Sequence, residues 1–324
     1  MLRYVLRRLA WAIPTLLFIT FLVYIALRTG TDPVASYKRV NARATPAKIQ
    51  QYIDANGLDP NYVRGYFRWL GNFLTLDWPR SIKGSREVWP QLKDALANTI
   101  RLGIAASAVG IVVGLMLGVF AALRPGGRRD VAVNTAAFVG ISIPPYVSAI
   151  LCQLLFAVYW SRWFGSTLFP TSGVYPPGHT GFEPLLMAKH MVLPTIVVAI
   201  QIIAVYSRYM RSSLLDVLSS EYMRTARSKG ISERRVLFKH GLRNALIPVV
   251  TIAALDVGAI VGGLIITENI FSYPGMGMYF LSAFGEGDFP LLMPWMVIIV
   301  ASTLMFNLLA DISYAWLDPR IRLE

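Results

Sequence analysis

The chain has 324 residues, of which 55% are hydrophobic and only 15% charged, and its mean hydropathy is +0.51. Several charge-free runs of about 20 residues, the span a bilayer demands, exclude an ordinary soluble protein. The net charge of +13 suggests nucleic acid at first sight, but its distribution along the chain argues against that class.

The first apolar run, Leu9 to Leu27, follows Arg3, Arg7 and Arg8. It is too long for a signal-peptide core and has no small-x-small cleavage site close behind it, so it reads as an uncleaved anchor. Pro14 sits near its start, where a missing backbone donor disrupts least. An outer region of roughly 70 residues follows. Thr45-Pro46 predicts an N-cap with proline at the first helical position, Ile49, Tyr52 and Ile53 share one face, and Gly57 ends the helix. Tyr66, Phe67, Trp69, Leu70 and Phe73 form an aromatic cluster, read either as a small external core or as a docking surface. Ser85 is expected to cap a helix bearing Val88, Leu92 and Leu96.

Leu102 to Leu123 is the second charge-free run. Gly110, Gly114 and Gly118, spaced by four, put small residues on one face for close helix packing. Val131 to Ser161 is the third, broken by Pro144-Pro145, which reads either as a bend beside a pathway or as a packing kink. Met191 to Ser207, Ala245 to Thr267 (interrupted only by Asp256) and Phe289 to Ala310 complete six predicted spans. Arg124, Arg128 and Arg129, then nine Lys/Arg between Arg208 and Arg243, and finally Arg320 and Arg322 occupy alternate loops. The outer segment Glu268 to Pro290 has three acids and no Lys or Arg. The positive-inside rule therefore places both termini in the cytoplasm.

Motifs for chemistry are missing. There is no GxxxxGK[ST], no HExxH, no CxxC and no local Ser/His/Asp arrangement. Cys152 is the single cysteine, and His179, His190 and His240 have no metal-ligand spacing. No catalytic residue, metal ligand or cofactor is assigned to this chain, and work against a gradient would draw on another protein. The basic loop between spans four and five holds the clearest local signals. Ser219 or Ser220 caps a short helix, with Glu221 at its positive end and Lys229 at its negative end. Gly230 supplies a left-handed position, and Ser232 with Glu233 opens the next helix. Ala226 and Gly230 leave little bulk, so a partner's backbone could approach. Among acids in or near spans, Asp256 is the pathway candidate, Asp311 reads as interfacial, and Glu268 either attracts an ammonium group or braces the outer loop.

This loop, EYMRTARSKGISERRVLFKHGLRNALIP from Glu221 to Pro248, resembles the EAA loop of ATP-binding-cassette (ABC) importer permeases. Ala226, Gly230 and Leu242 match the general motif, whereas Arg224, Thr225, His240 and Arg243 replace its other positions. Those replacements resemble the dipeptide and oligopeptide version, YxRTARAKG followed by RHxLRNALxP. The opening LRRLAWAIPTLLFITFLVYIALR, the segment TENIFSYPGMG (Thr267 to Gly277) and the end NLLADISYAWLDPRIR are similar to the first permease subunit of that family. Leu76 to Ser81, LDWPRS, departs from the family's GDLGxS.

The resemblance implies an all-α membrane protein with six spans and the type I ABC importer permease fold, in a prokaryotic inner or plasma membrane. It implies a tip and first span at 1–28, an extracytoplasmic region at 29–97, a permease core at 98–316 with a coupling loop at 208–244, and a tail at 317–324. Glu221, Tyr222, Arg224, Thr225, Ala226, Lys229, Gly230 and His240 would couple to the ATPase. Asp256, Glu268, Phe271, Pro274 and Gly275 are candidates for the pathway or outer gate. The implied partners are a second homologous permease, two cytoplasmic ATPase domains that bind ATP and Mg, an extracytoplasmic substrate-binding protein, peptide substrate and lipid, with no nucleic acid. The same fold could import nickel, glutathione or another small solute. A channel or a membrane-embedded enzyme is the reading from a different class.

Overall fold

The computed structural model describes residues 2–84, 87–260 and 264–317, with the side chains of 2–6, 251, 254, 255, 257–259 and 310–317 outside that description. The Ser85 cap, residues 261–263 of the fifth predicted span, the Asp311 side chain, Arg320, Arg322 and the rest of the tail beyond 317 lie outside the described residues. Everything described is helix, turn or irregular connection.

Helix α1 (Leu2–Thr31) leads into three short helices, α2 (Pro33–Val40), α3 (Pro46–Ala55) and α4 (Tyr62–Leu74). The turn chemistry of α3 is local. Thr45 Oγ1 accepts from Lys48 N at 3.4 Å, and Gly57 leaves the helix with φ +62°. Tyr66 and Trp69 are buried in a core that also takes Tyr24 of α1 and Phe289, so the aromatic cluster is an external core, with only Phe67 of its members largely exposed. Thr20 and Tyr66 share a hydrogen bond of 2.7 Å, and the Tyr24 hydroxyl donates to Gly57 O. The layer of short helices α2–α4 is thereby bolted to the first span.

Helix α5 (Val88–Ala122) has 35 residues, about 52 Å at 1.5 Å per residue, so it outruns a hydrocarbon core of about 30 Å. It passes through the expected boundary between 97 and 98 without a break. Helix α6 (Arg128–Ser142) and helix α7 (Pro145–Gln153) are the two halves of the interrupted third run. A π-helical turn (Leu154–Tyr159) and helix α8 (Trp160–Phe164) carry α7 onward. The break at Pro144 is compensated by a neighbour: Gln201 Nε2 donates to Gly140 O at 2.9 Å and to Ile143 O at 3.2 Å.

Helix α9 (Pro184–Leu218) supplies that glutamine and is the central packing partner of α5. A Cβ on Gly110, Gly114 or Gly118 would press on Ile202, Tyr206 and Met210 in turn, so the two helices run parallel with backbones in close approach. The predicted glycine face is a packing face. Beyond α9 come α10 (Glu221–Ser228), α11 (Glu233–Arg235), a π-helical segment (Val236–Leu242) and α12 (Arg243–Ile260). The chain closes with α13 (Ile265–Ile270), α14 (Met276–Glu286) and α15 (Phe289–Leu317).

Five described stretches are long and apolar enough to cross a membrane: Arg7–Thr31, Val88–Ala122, Pro145–Phe164, Pro184–Leu218 and Phe289–Leu309. They match five of the six predicted spans. The sixth, Ala245 to Thr267, coincides with α12 and runs into residues outside the description. Trp11, Ile104 and Met116 are exposed on span surfaces, where lipid or a partner helix would meet them.

Candidate functional site: an inner loop and an outer brace

At the inner end, α10 starts at Ser220, whose extended φ/ψ of −72°/152° is that of an N-cap. Its hydroxyl does not cap the helix. It turns back to Val217 O at 2.6 Å, so the first turn relies on Glu221 for compensation of the dipole. Helix α10 has two faces. Met223 and Ala226, three apart, are buried against Val236, Val217, Leu218 and Ile231. Glu221, Tyr222, Arg224, Thr225, Ser228 and Lys229 are exposed.

Gly230 then takes φ +72°, where its absent side chain would have met nothing within 4 Å. The two small residues singled out in the sequence therefore differ. Gly230 stands in open space, whereas Ala226 is 8% exposed and seats α10 on its own chain. Ala226 is not free to meet a partner's backbone, because the i, i+3 spacing with Met223 puts it on the inward face. Tyr222 and His240 are brought together through Asn244, whose Nδ2 donates to Tyr222 Oη at 3.1 Å and to His240 O at 3.0 Å. Arg224–Glu221 and Arg227–Glu233 pairs, both 2.9 Å, decorate the surface. Deeper, Arg211 on α9 grips Asp130 on α6 with Nε–Oδ1 at 2.5 Å and Nη2–Oδ2 at 2.7 Å. Asn134 Nδ2 and Gly126 N complete the shell of this buried carboxylate at 2.6 and 2.9 Å.

At the outer end, Glu268 on α13 is fully buried. Its Oε1 accepts from Thr99 Oγ1 at 2.6 Å and Leu264 N at 3.2 Å, and its Oε2 from Gly277 N at 2.6 Å and Met278 N at 3.2 Å. Thr99 Oγ1 in turn accepts from Met276 N at 2.7 Å. Helix α14 begins after Gly275, which has no side chain to cap it. Glu268 and Thr99 take the N–H groups that a cap would otherwise leave orphaned. A Cβ on Gly275 would overlap the Glu268 carboxyl and Thr99, and one on Gly277 would overlap Ile265. Of the two roles open to Glu268, bracing is the one the geometry shows.

Phe271 and Tyr273 are buried beneath this turn. Phe271 O accepts from Gly173 N at 3.0 Å, and Pro274 O accepts from Asn98 Nδ2 at 3.0 Å. The turn is thus stapled to α5 and to the loop before α9. A second outer carboxylate, Asp288, opens α15 and is also fully buried. Its Oδ2 accepts from Ser81 Oγ at 2.5 Å and Ile82 N at 3.1 Å, while Oδ1 has no hydrogen-bond partner among the described residues. Burial pushes its pKa up to about 6, against the opposing pull of the Ser81 and Ile82 bonds.

Between the ends, Asp256 on α12 is exposed and accepts from Tyr206 Oη at 2.7 Å. The pair lines a cavity of about 210 Å³ with Ser107, Ile111, Ile202 and Leu264. Among the described residues no group of three or more His, Cys, Asp or Glu is placed to hold a metal ion. Sequence reasoning did not find Thr99, Asn98, Asp130, Gln201 or Asp288. Each acts on a residue remote in the chain or on a backbone group, and no local pattern marks such a role.

Parallel apolar spans, a two-faced helix in a basic loop and a turn braced by a buried carboxylate define a multi-span membrane permease subunit. The chain belongs to the family described as binding-protein-dependent transport system inner membrane component, which matches residues 114–323. It is 37% identical to the oligopeptide transport system permease protein AppB of Bacillus subtilis (strain 168) over 325 residues, covering 99% of each chain. It is 35% identical to the dipeptide transport system permease protein DppB of the same strain, over 326 residues and 100% and 99% of the two chains. The DppB of Escherichia coli (strain K12) is 32% identical over 342 residues, 99% of each. In fold, the chain is similar to a subunit of the methionine ABC transporter MetNI in an inward-facing form, with a TM-score of 0.53, 17% identity and coverage of 70% of this chain and 96% of that one. A crystal structure of an amino acid ABC transporter with histidines gives 0.51 and 14%, covering 70% and 94%. The protein is accordingly a multi-pass membrane component of a transport system and not an enzyme.

Proposed function

We propose that this chain is the first permease subunit of an ATP-driven importer of di- and oligopeptides. Full-length similarity to oligopeptide and dipeptide permeases supports the substrate class. The observation that carries the mechanism is the two-faced α10: Met223 and Ala226 hold it on the chain, and Tyr222, Arg224, Thr225 and Lys229 face outward beside the open space at Gly230. In this reading α10 docks on a cytoplasmic ATPase, one of two that bind ATP and Mg. A second homologous permease completes the pathway, and an extracytoplasmic binding protein delivers substrate. Asp256, with Tyr206 beside it, is the pathway acid. Phe271, Pro274 and Gly275 form the outer turn that the Glu268 brace holds in place, and that turn is the outer gate. Tyr222 passes movement of α10 into α12 through Asn244, and the His240 carbonyl holds the same amide in place.

Coupling of this kind requires the docked helix to prefer different positions in the two states of the transporter. The test is uptake of a labelled tripeptide by the whole complex in proteoliposomes, with the binding protein outside and ATP inside. Saturable, ATP-dependent uptake is expected. Uptake of nickel or glutathione in place of peptide would move the chain to another substrate of the same fold. Conduction without ATP would make it a channel and overturn the importer reading.

A further inference from the structure

Beside the outer brace lies a cavity of about 540 Å³ whose polar walls the brace does not use. One wall is the outer end of α5, where Asp94, Asn98 and Arg101 line the cavity. Positions i, i+4 and i+7 share one helix face. The part of α5 that carries them lies towards the end that outruns the bilayer. Tyr175 forms a second wall, and Pro274 and Ser282 come from the outer turn and α14. The volume is within the range of roughly 300–1,000 Å³ usual for small-ligand sites.

The lining holds one carboxylate and one guanidinium. Seven residues on a helix separate their backbones by about 10.5 Å, and both side chains open on the same cavity. Neither makes an ion pair among the described residues. Arg101 Nη1 donates to Asn98 Oδ1 at 3.1 Å, which leaves the rest of its fork unused. Asn98 meanwhile holds Pro274 O, so the wall is fixed to the turn beneath it. Two opposite charges set along one wall of a concave surface and not paired with each other complement a ligand that carries both charges at its two ends. Extended peptide spans at most about 3.3–3.6 Å per residue, so a chain of two or three residues sets an ammonium and a carboxylate roughly 7–10 Å apart. The matching charges make the groove selective for a zwitterion over a simple cation or anion.

We propose that this groove is a substrate subsite that receives a short peptide by its termini, with the α-ammonium on Asp94 and the α-carboxylate on Arg101. The inference rests on the peptide-import reading and adds where the substrate is first held on the outer side. Because Pro274 and Gly275 belong both to the groove and to the braced turn, occupancy bears directly on that turn.

The experiment uses the reconstituted complex with saturating loaded binding protein. Uptake of trialanine is compared with its C-terminal amide and its N-acetyl form, each first verified to bind the binding protein. The wild type is expected to import trialanine about fivefold faster than either blocked peptide, as partly exposed charge pairs of up to about 1 kcal/mol imply. Arg101→Gln should erase discrimination against the amide alone, and Asp94→Asn discrimination against the acetyl form alone. Arg101→Lys should keep it in part, which guards against a variant that merely fails to assemble. Unchanged discrimination in both neutral variants overturns the subsite. So does loss of ATPase stimulation by peptide-free binding protein in the same variants, which would make the groove a protein-docking face. If the wild type imports no peptide at all, the import reading itself has failed, an outcome distinct from the other two.

Discussion

The two ends of this molecule hold buried carboxylates in opposite ways. At the outer end, Glu268 and Asp288 are gripped by backbone N–H groups and hydroxyls with no cation among their hydrogen-bond partners. At the inner end, Asp130 is clamped by the Arg211 guanidinium. The outer turn is knitted into its own chain through Thr99, Asn98 and two glycines that admit no side chain. The inner helix α10 rests through Met223 and Ala226 on a small apolar seat of Val217, Leu218, Ile231 and Val236 and otherwise faces outward. A turn satisfied within the chain is a rigid part. A helix with a small seat and an open flank keeps its remaining surface for something else. The first arrangement suits a gate frame and the second suits a docking element.

The sharpest way to break the comparison is at the inner clamp. Arg211→Ala leaves the Asp130 carboxylate with Asn134 and Gly126 as its remaining donors, and with the arginine part-exposed the expected loss is about 1.5–3 kcal/mol. Thermal unfolding of the purified complex would show it as a lower midpoint. Adding Asp130→Ala should recover part of the loss, since the stranded charge is then gone. If the double variant is no better than the single one, the clamp is not the reason for the loss. At the outer end, Glu268→Ala strands the N–H groups that open α14, at about 1–3 kcal/mol for an unsatisfied buried group. Glu268→Gln keeps an acceptor but must also place two donors against N–H groups, so it should fall between the wild type and the alanine variant.

The burial of Asp288 gives the outer end a pH response. Its pKa in the folded chain is raised to about 6, above the usual aspartate value near 4. A carboxyl with a raised folded pKa binds its proton more tightly in the folded state. Its protonated form is therefore the better fit, and stability is lost as pH rises from about 4 through 6. The wild-type complex should be more stable at pH 5 than at pH 7.5 by about 1.4 kcal/mol, read as a higher unfolding temperature, and Asp288→Asn should flatten that difference. A dependence unchanged in Asp288→Asn would locate the response elsewhere.

Much of the fold was legible because its causes are local. Thr45-Pro46 and Gly57 bound α3, Gly230 takes the left-handed turn, and the four-residue glycine spacing packs α5 on α9. The site was less legible because its bonds join distant residues. Thr99 and Glu268 are 169 positions apart, and Ser81 and Asp288 are 207. The motif TENIFSYPGMG marked Glu268, Gly275 and Gly277 as belonging together, yet only the folded chain shows the carboxylate taking the place of a helix cap. Ser220 illustrates the converse. Its position obeys the capping pattern, but its hydroxyl finds Val217 O instead, and composition cannot arbitrate between two acceptable partners. The inward face of Ala226 was available from its spacing to Met223, once both are placed on one helix.

The smallest expected effect concerns the charges around α10, and it tests whether this loop works by shape or by charge. Arg234 is exposed on α11, just after the Gly230 turn, with no salt bridge among the described residues. Arg234→Gln should change stability by less than about 1 kcal/mol and leave peptide uptake close to wild type. Gly230→Ala, by contrast, forces a Cβ into a left-handed conformation at about 1–2 kcal/mol. Gly230→Trp adds bulk in space that this chain leaves empty. Both Gly230 variants should insert and reach normal membrane abundance, because the position lies outside every span. Gly230→Trp should nevertheless lose uptake and co-purification of the ATPase, since a Cβ there meets nothing of the described chain within 4 Å and the added bulk stands on the face proposed to dock. If Arg234→Gln fails while Gly230→Trp transports normally, the loop acts through its charge, and the two-faced α10 is not the coupling element.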